Sequence, residues 1–271
     1  GEYDASQMAK YKQLRAKYVA ANEITFEKTQ GNVEYCATSS VTNKASGLGT
    51  GKITYEVTEG SEIVDVDSNG KVTIDKGRFG KVTITATQAA DDNYEAASAS
   101  YSFIVRGKAD FDANQARALK LLNTSGGGGT AKIVSGELVL ENIDYAVDYG
   151  IAVKFSGNIV AKGTNSITTR GTNNKVNDNN EVALYLDGNR TIKGDGTLNL
   201  TSENSRALFV WGDSVTFAGG VTVNAQGNMY TIYEQYTGRI NIDNANLIVR
   251  SKTNDGQGGW VRSSSIQRGL N

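Results

Sequence analysis

A 24-residue repeat in the C-terminal half constrains the fold more than any other feature of the sequence. Leu184, Leu208 and Ile232 follow one another at this interval, and the small residues directly before them keep the same spacing. Within each repeat, three short runs alternate apolar and polar residues and are separated by Gly, Asn or Asp. Short strands that recur at a fixed period are typical of stacked coils. We therefore predict a right-handed parallel β-helix over residues 130–271, with the insertion 172–180 looping outward.

The segment before this repeat follows a different pattern. Residues 24–107 contain short alternating runs, separated by Gly, Asn and Asp turns about every 10 residues. This spacing is typical of a β-sandwich. The fold class we predict is mainly β: an Ig-like β-sandwich followed by the parallel β-helix, with short helices at the N-terminus and between the domains.

Two segments have the signature of short helices. Asp4 and Gln7 predict a capping box at the start of a helix over residues 4–21, within an N-terminal region 1–23. Asp112 and Gln115 predict a second box, in a helical connector and glycine linker over residues 108–129.

Several segments resemble known bacterial surface modules. The strings "IVDVDSNGKVTI" and "GKVTITATQAADDNYEAASASYSFIV" resemble bacterial Ig-like surface domains. The strings "ALYLDGNRTIKGDGTLNL" and "ALFVWGDSVTFAGGVTVNAQG" resemble the β-helical "carbohydrate-binding domain-containing" proteins that stand beside Ig-like modules in Bacteroidetes. The resemblance implies an extracellular or outer-membrane surface location, with the Ig-like domain as a spacer.

Composition excludes several classes of activity. The chain has no histidine, so a Ser-His-Asp triad, a histidine general base and a His-ligated zinc site are impossible within it. The single cysteine, Cys36, excludes an internal disulfide. The formal net charge of -1 provides no field that attracts nucleic acid. No apolar run approaches the ~18 residues of a membrane span, so we expect no membrane insertion by this segment.

Two Asp-Gly pairs, Asp187-Gly188 and Asp195-Gly196, raise the alternatives of a calcium loop and a carboxylate active site. Read from Asp187, the sequence lacks the turn glycine and the final acid of a helix-loop-helix calcium site. A glycosidase needs two carboxylates about 5 to 9.5 Å apart. Asp187 and Asp195 do not recur as a pair in the next coil, and Asp is favoured at such turns for local hydrogen bonding. We expect no catalytic residue, no cofactor and no metal; calcium at 177–179 and a polysaccharide lyase or hydrolase remain the alternatives.

An aromatic column is the strongest candidate for a binding surface. If Leu184 and its equivalents face the interior, the alternation directs the residue after each of them outward. Flat rings beside polar side chains suit pyranose rings. The candidate carbohydrate-binding residues are Tyr185, Phe209, Trp211, Tyr233 and Tyr236.

Two interpretations of this column stay open at the sequence level. Stacked rings stabilise a β-helix without any ligand, and a shift of one residue would bury them. We predict a non-catalytic protein whose partner is a polysaccharide or a surface glycan. The alternative is a structural stalk or a protein-binding adhesin segment.

Overall fold

A computed structural model describes residues 4–16, 19–28, 30–148, 150–171, 181–228, 230–235, 238–251, 261–262 and 265–268. The protein is mainly β, with two short helices and extensive parallel sheets. Two compact units divide the chain. The first unit is Gly1–Val33 with Thr38–Val105, and the second unit is Glu34–Ala37 with Arg106–Asn271.

Helix α1 (Ala5–Ala16) opens the first unit. The Asp4 carboxylate accepts hydrogen bonds from the backbone N–H of Ser6 at 2.8 Å and of Gln7 at 2.9 Å, and the Gln7 side chain accepts one from the Asp4 N–H at 3.2 Å. The predicted capping box is confirmed. The helix ends at Ala16, which is earlier than the predicted residue 21.

The rest of the first unit consists of antiparallel strands. They form sheets in the orders β1-β4, β2-β9-β8-β5 and β3-β7-β6. The strands are β1 (Ile24–Phe26), β2 (Val33–Glu34), β3 (Ser40–Thr42), β4 (Ala45–Gly47), β5 (Ile53–Glu59), β6 (Asp65–Val66), β7 (Lys71–Thr73), β8 (Gly80–Gln88) and β9 (Ala97–Arg106).

The alternation of β8 explains how this unit forms its core. Val82, Ile84 and Ala86 are fully buried. The threonines between them face the other side, where Thr83 and Thr85 share hydrogen bonds of 2.8 Å with serine hydroxyls of β9. Strand β8 therefore buries one apolar row and pairs one polar row, as the period of two requires.

From Arg106 onward, the first elements of the second unit are β10 (Ala109–Asp110), α2 (Phe111–Ser125) and β11 (Thr130–Val134). The predicted capping box of Asp112 and Gln115 is wrong. Asp110 caps the helix by accepting from the N–H of Asp112 and Ala113, at 3.2 and 3.0 Å. The Asp112 carboxylate instead accepts from the Ser156 hydroxyl at 2.7 Å.

Strands from β12 onward form a repeating pattern. Each pairs with the strand three later in the chain, in parallel, so the chain visits three sheets in turn. The strands are β12 (Glu137–Glu141), β13 (Asp144–Val147), β14 (Ile151–Phe155), β15 (Ile159–Lys162), β16 (Thr164–Thr169), β17 (Val182–Asp187), β18 (Arg190–Lys193), β19 (Thr197–Ser202), β20 (Arg206–Trp211), β21 (Ser214–Ala218), β22 (Thr222–Gly227), β23 (Ile232–Glu234), β24 (Arg239–Asp243), β25 (Asn246–Ser251), β26 (Val261–Arg262) and β27 (Ser265–Arg268).

The register of these strands reproduces the sequence repeat. Leu184 lies opposite Leu208, and Leu208 lies opposite Ile232. Val153 precedes them in the same column, and all four side chains are fully buried. The predicted interior column is therefore confirmed.

Close backbone contacts set the turns between the sheets. A Cβ atom added to Gly196 would lie 2.5 Å from the carbonyl oxygen of Gly163, one coil earlier. At the turn after β17, Gly188 has a φ of +82°, which favours glycine. The second residue of each Asp-Gly pair thus has a steric reason to be glycine, which agrees with interpreting both pairs as turns.

Candidate functional site

A pocket of about 440 Å³ lies on the sheet that contains β14, β17, β20 and β23. Its lining contains four of the five aromatic residues predicted as a binding surface. Tyr236 lies outside the described residues. The described lining residues are Ile151, Tyr185, Arg206, Phe209, Trp211, Tyr233 and Gln235.

Three rings form a continuous stack along this pocket. The ring centroids of Tyr185 and Phe209 are 5.0 Å apart with an interplanar angle of 21°, and those of Phe209 and Tyr233 are 5.3 Å apart at 7°. The stack follows from the register, in which Tyr185 lies opposite Phe209 and Phe209 opposite Tyr233. Each such pair stabilises the pairing of these strands by roughly 0.5–1.5 kcal/mol beyond the area it buries.

Exposure differs sharply among these rings. Phe209 is 7% exposed and Tyr233 is 8% exposed, whereas Trp211 is 41% exposed. Tyr185 is half-buried. The centroid of Trp211 is 6.1 Å from that of Phe209, so the exposed indole continues the ring surface of the stack. A ligand would therefore meet Trp211 first, with the stack as its support.

Neighbouring side chains pack around Phe209 and Tyr233. Val182 belongs to the same apolar cluster as Phe209 and Tyr233, and Ile151 and Tyr230 pack against it. The Tyr230 ring contacts Tyr233 edge-on, with centroids 5.7 Å apart at 69°. The sequence alternation assigns the rings to the face opposite the interior column, but it gives no information about what covers them.

Arg206 brings a positive charge into this aromatic pocket. Its side chain is 6% exposed. The guanidinium carbon lies 4.3 Å from the Tyr233 ring centroid and 5.3 Å from that of Phe209, which is cation–π geometry. Sequence reasoning missed this residue. The signal was available, because Arg206 occupies the column that holds Ile151 and Val182 in the two preceding coils.

Positive side chains lie in or near the pocket, and the nearby glutamates are buried outside its lining. The Lys154 ammonium lies 5.8 Å from the Tyr185 ring centroid and forms a 3.4 Å ion pair with Asp112. Glu181 and Glu234 are each 1% exposed, and neither belongs to the lining. Among the described lining residues, Arg206 is the charged side chain and there is no carboxylate.

The aspartates considered for catalysis are spread along the turns. Asp187 ends β17 and Asp195 follows β18, so the two lie at opposite ends of a four-residue strand. A glycosidase of the two-carboxylate type needs both groups within ~9.5 Å of each other on one substrate bond, and neither Asp187 nor Asp195 lines the pocket. Two further aspartates of the second unit, Asp213 and Asp243, are exposed and do not line the pocket either.

The described residues contain no group of three or more His, Cys, Asp or Glu side chains placed to hold a metal ion. The alternative calcium position at 177–179 lies outside them. Within that same part of the chain, neither helix has the length and apolar character needed to cross a membrane. Searches among known protein families, curated proteins and solved structures find no match to this chain.

Proposed function

We propose that this protein is a non-catalytic glycan-binding protein of the cell surface or the extracellular space, and that the pocket around Trp211 holds a sugar ring. One observation supports this most directly. A half-exposed indole continues a buried ring stack and lines an open pocket together with Gln235 and Arg206. An aromatic face binds the C–H face of a pyranose, while amide and guanidinium groups meet its hydroxyls.

The dimensions of the pocket suit a small part of a glycan. Its volume of about 440 Å³ lies within the range of small-molecule sites. The buried stack fixes the ring surface before a ligand arrives, which reduces the ordering cost of binding. Gln235 and Arg206 supply directional hydrogen bonding at the same place.

The proposal includes the architecture that presents this pocket. In it, the second unit winds as a right-handed parallel β-helix, and the first unit is an Ig-like β-sandwich that serves as a spacer. The strand order of the three parallel sheets, with each strand pairing three positions later, supports the first part. The antiparallel sheets with alternating burial in β8 support the second.

The separation of Asp187 and Asp195 supports a binding role over hydrolysis. A hydrolase of the two-carboxylate type needs both groups on one substrate bond. In this chain the two residues stand at successive turns instead.

A glycan array and calorimetric titration of the best ligands would test the proposal. Wild-type protein is expected to bind, and Trp211→Ala is expected to lose at least about tenfold in affinity, or ~1.4 kcal/mol. Tyr11→Ala is a matched control, because Tyr11 is an exposed ring outside the pocket and its loss should leave binding unchanged. Absence of wild-type binding to every glycan would refute the proposal.

The second candidate is a structural stalk or protein-binding adhesin segment. The near-complete burial of Phe209 and Tyr233 favours it, since buried stacked rings stabilise coils without a ligand. In that case neither the wild-type protein nor Trp211→Ala would bind any glycan. A failed array combined with strong destabilisation by Tyr233→Ala would point to this role.

A further inference from the structure

Exposed aromatic surface is confined to one place in the pocket. Trp211 is 41% exposed, whereas Phe209 and Tyr233 are 7% and 8% exposed. Tyr185 is half-buried. Among the described lining residues, Trp211 is therefore the one ring that is more than a third exposed. Because each stacked pyranose needs an aromatic face of its own, these rings offer a stacking position for one sugar.

The residues beside Trp211 along the sheet are polar. Asp187 lies directly opposite Trp211 in the pairing of β17 with β20. On the other side, the backbone N–H of Gln235 donates to the carbonyl oxygen of Val210 at 3.1 Å, which places Gln235 beside Trp211. Carboxylate and amide groups hydrogen-bond to hydroxyls, but they present no aromatic face. A glycan that runs across these strands would therefore meet one stacking position between two polar side chains.

One end of the aromatic stack is occupied by an ion pair. Lys154 precedes Tyr185 in the register of the sheet. Its ammonium lies 5.8 Å from the Tyr185 ring centroid and 3.4 Å from a carboxylate oxygen of Asp112. The lysine is thus held over the ring at the position where a further ring, or a further sugar, would stack. A chain seated in the pocket can continue only away from this end.

We infer that the pocket recognises the terminal one or two sugar residues of a glycan and not the interior of a long chain. In this arrangement one pyranose packs on Trp211, and the rest of the chain leaves the pocket on the side away from Lys154. The pocket volume of about 440 Å³ lies in the lower half of the range for small-molecule sites, which agrees with a ligand of this size. The inference rests on the proposed glycan-binding function and specifies which part of a glycan is bound.

A length series measures how many sugar residues the pocket contacts. Oligosaccharides of one to six residues would be titrated into the wild-type protein by calorimetry, from the chito-, manno-, xylo- and galacto-series and from the tightest ligand of the glycan array. Affinity is expected to reach its full value at the disaccharide and to change by less than about threefold from two residues to six. A rise of about threefold or more over that range would overturn the inference.

Counting chain ends gives a second measurement. Limited acid hydrolysis of the parent polysaccharide raises the number of chain ends while the total amount of sugar stays constant. The concentration of binding sites on the glycan is expected to rise in proportion to the number of ends. A concentration of binding sites that follows total sugar instead would overturn end recognition.

A variant at the occupied end tests what limits the site. Lys154→Ala is expected to bind the hexasaccharide about threefold to tenfold more tightly than the disaccharide, because the chain can then continue past Tyr185. Lys193→Ala is the matched control, since it removes the lysine of a 2.8 Å ion pair with Glu137 on another sheet and should keep the wild-type dependence on length. If Lys154→Ala does not fold, the wild-type length series and the count of chain ends still decide the question.

The outcomes separate this inference from the function on which it rests. Wild-type affinity that keeps rising with chain length would overturn end recognition and leave glycan binding intact. Absence of binding to every member of every series would overturn both. A folded Lys154→Ala variant with the wild-type dependence on length would overturn the role of the Lys154–Asp112 pair as the limit of the site.

Discussion

Replacing Gly196 with alanine tests the spacing of the coils in the second unit. An added Cβ would lie 2.5 Å from the Gly163 carbonyl oxygen, 2.8 Å from the Gly163 nitrogen and 2.8 Å from the Lys162 carbonyl carbon. All three atoms are backbone of the preceding coil, so no side-chain rotation can relieve the contact. One coil must move away from the next.

Two opposing effects determine how much Gly196→Ala changes the free energy of unfolding. Gly196 has no positive φ, so alanine at this position would otherwise stabilise the fold by about 0.4–1 kcal/mol, through the unfolded chain. Steric overpacking costs about 1–3 kcal/mol, and contact with fixed backbone places this case at the upper end. We expect a net loss of about 2 kcal/mol, or ~4–8 °C in the melting temperature.

Scanning calorimetry of the whole chain would measure this effect. Gly31→Ala is the matched control, because no atom lies within 4 Å of its added Cβ. It should be neutral or slightly stabilising. If Gly196→Ala melts at the wild-type temperature, the close approach of the two turns is refuted, and with it the steric account of the Asp195–Gly196 pair.

Three further predictions concern single side chains. Tyr233→Ala should lower the free energy of unfolding by about 3 kcal/mol in urea titrations, because it removes a buried stacked ring, while Tyr233→Phe should cost less than half as much. Burial raises the pKa of Cys36 to about 11, so its thiol should resist a disulfide reagent at pH 8 in the folded protein and react once urea unfolds it; rapid reaction of the folded protein would contradict this. Hydrogen bonds, first from the Thr50 backbone N–H, lower the pKa of Asp91 from 3.8 to about 2. Because the folded state binds this proton less readily than the unfolded state, the Asp91 carboxylate stabilises the fold above about pH 4, and this stability is lost as the pH falls through 2. Asp91→Asn should therefore make the unfolding free energy of the first unit less dependent on pH in this acid range. If the variant and the wild type show the same dependence of stability on pH, this role of Asp91 is refuted.

The sequence repeat predicted the register of β17, β20 and β23 correctly because no insertion separates them, so residues that face one another across these paired strands recur at a constant interval. Leu184, Leu208 and Ile232 recur every 24 residues in the sequence and lie opposite one another in the sheet. The position of the aromatic column followed from the same register. A fixed period therefore carries long-range information that a single strand does not.

Other features of the pocket could not be read from periodicity. Val182 and Tyr185 are three residues apart, yet both pack in the cluster around Phe209, which a strict alternation of two does not allow. The burial of the central rings depends on side chains from other coils, such as Tyr230. Arg206 follows Ile151 and Val182 in one column, and a single departure from an aliphatic column does not show whether the side chain there is exposed or buried.

The second helix illustrates a different limit. Asp110 and Asp112 both lie near its start, and either could cap it by local rules. The choice falls to Asp110 because Asp112 is engaged by Ser156 and Lys154, which are distant in sequence. Tertiary contacts of this kind leave no mark on the local pattern.

The pocket wall is built from successive coils, and this has a mechanical consequence. Tyr185, Phe209 and Tyr233 come from β17, β20 and β23, which are consecutive hydrogen-bonded neighbours in one parallel sheet. Under tension such a stack peels from one end, a coil at a time. A ligand that contacts several of these strands would stabilise their pairing, because the strands could separate only after the ligand dissociates. If the pocket binds a glycan as proposed, we expect the unfolding force of the second unit in single-molecule pulling to rise with glycan concentration.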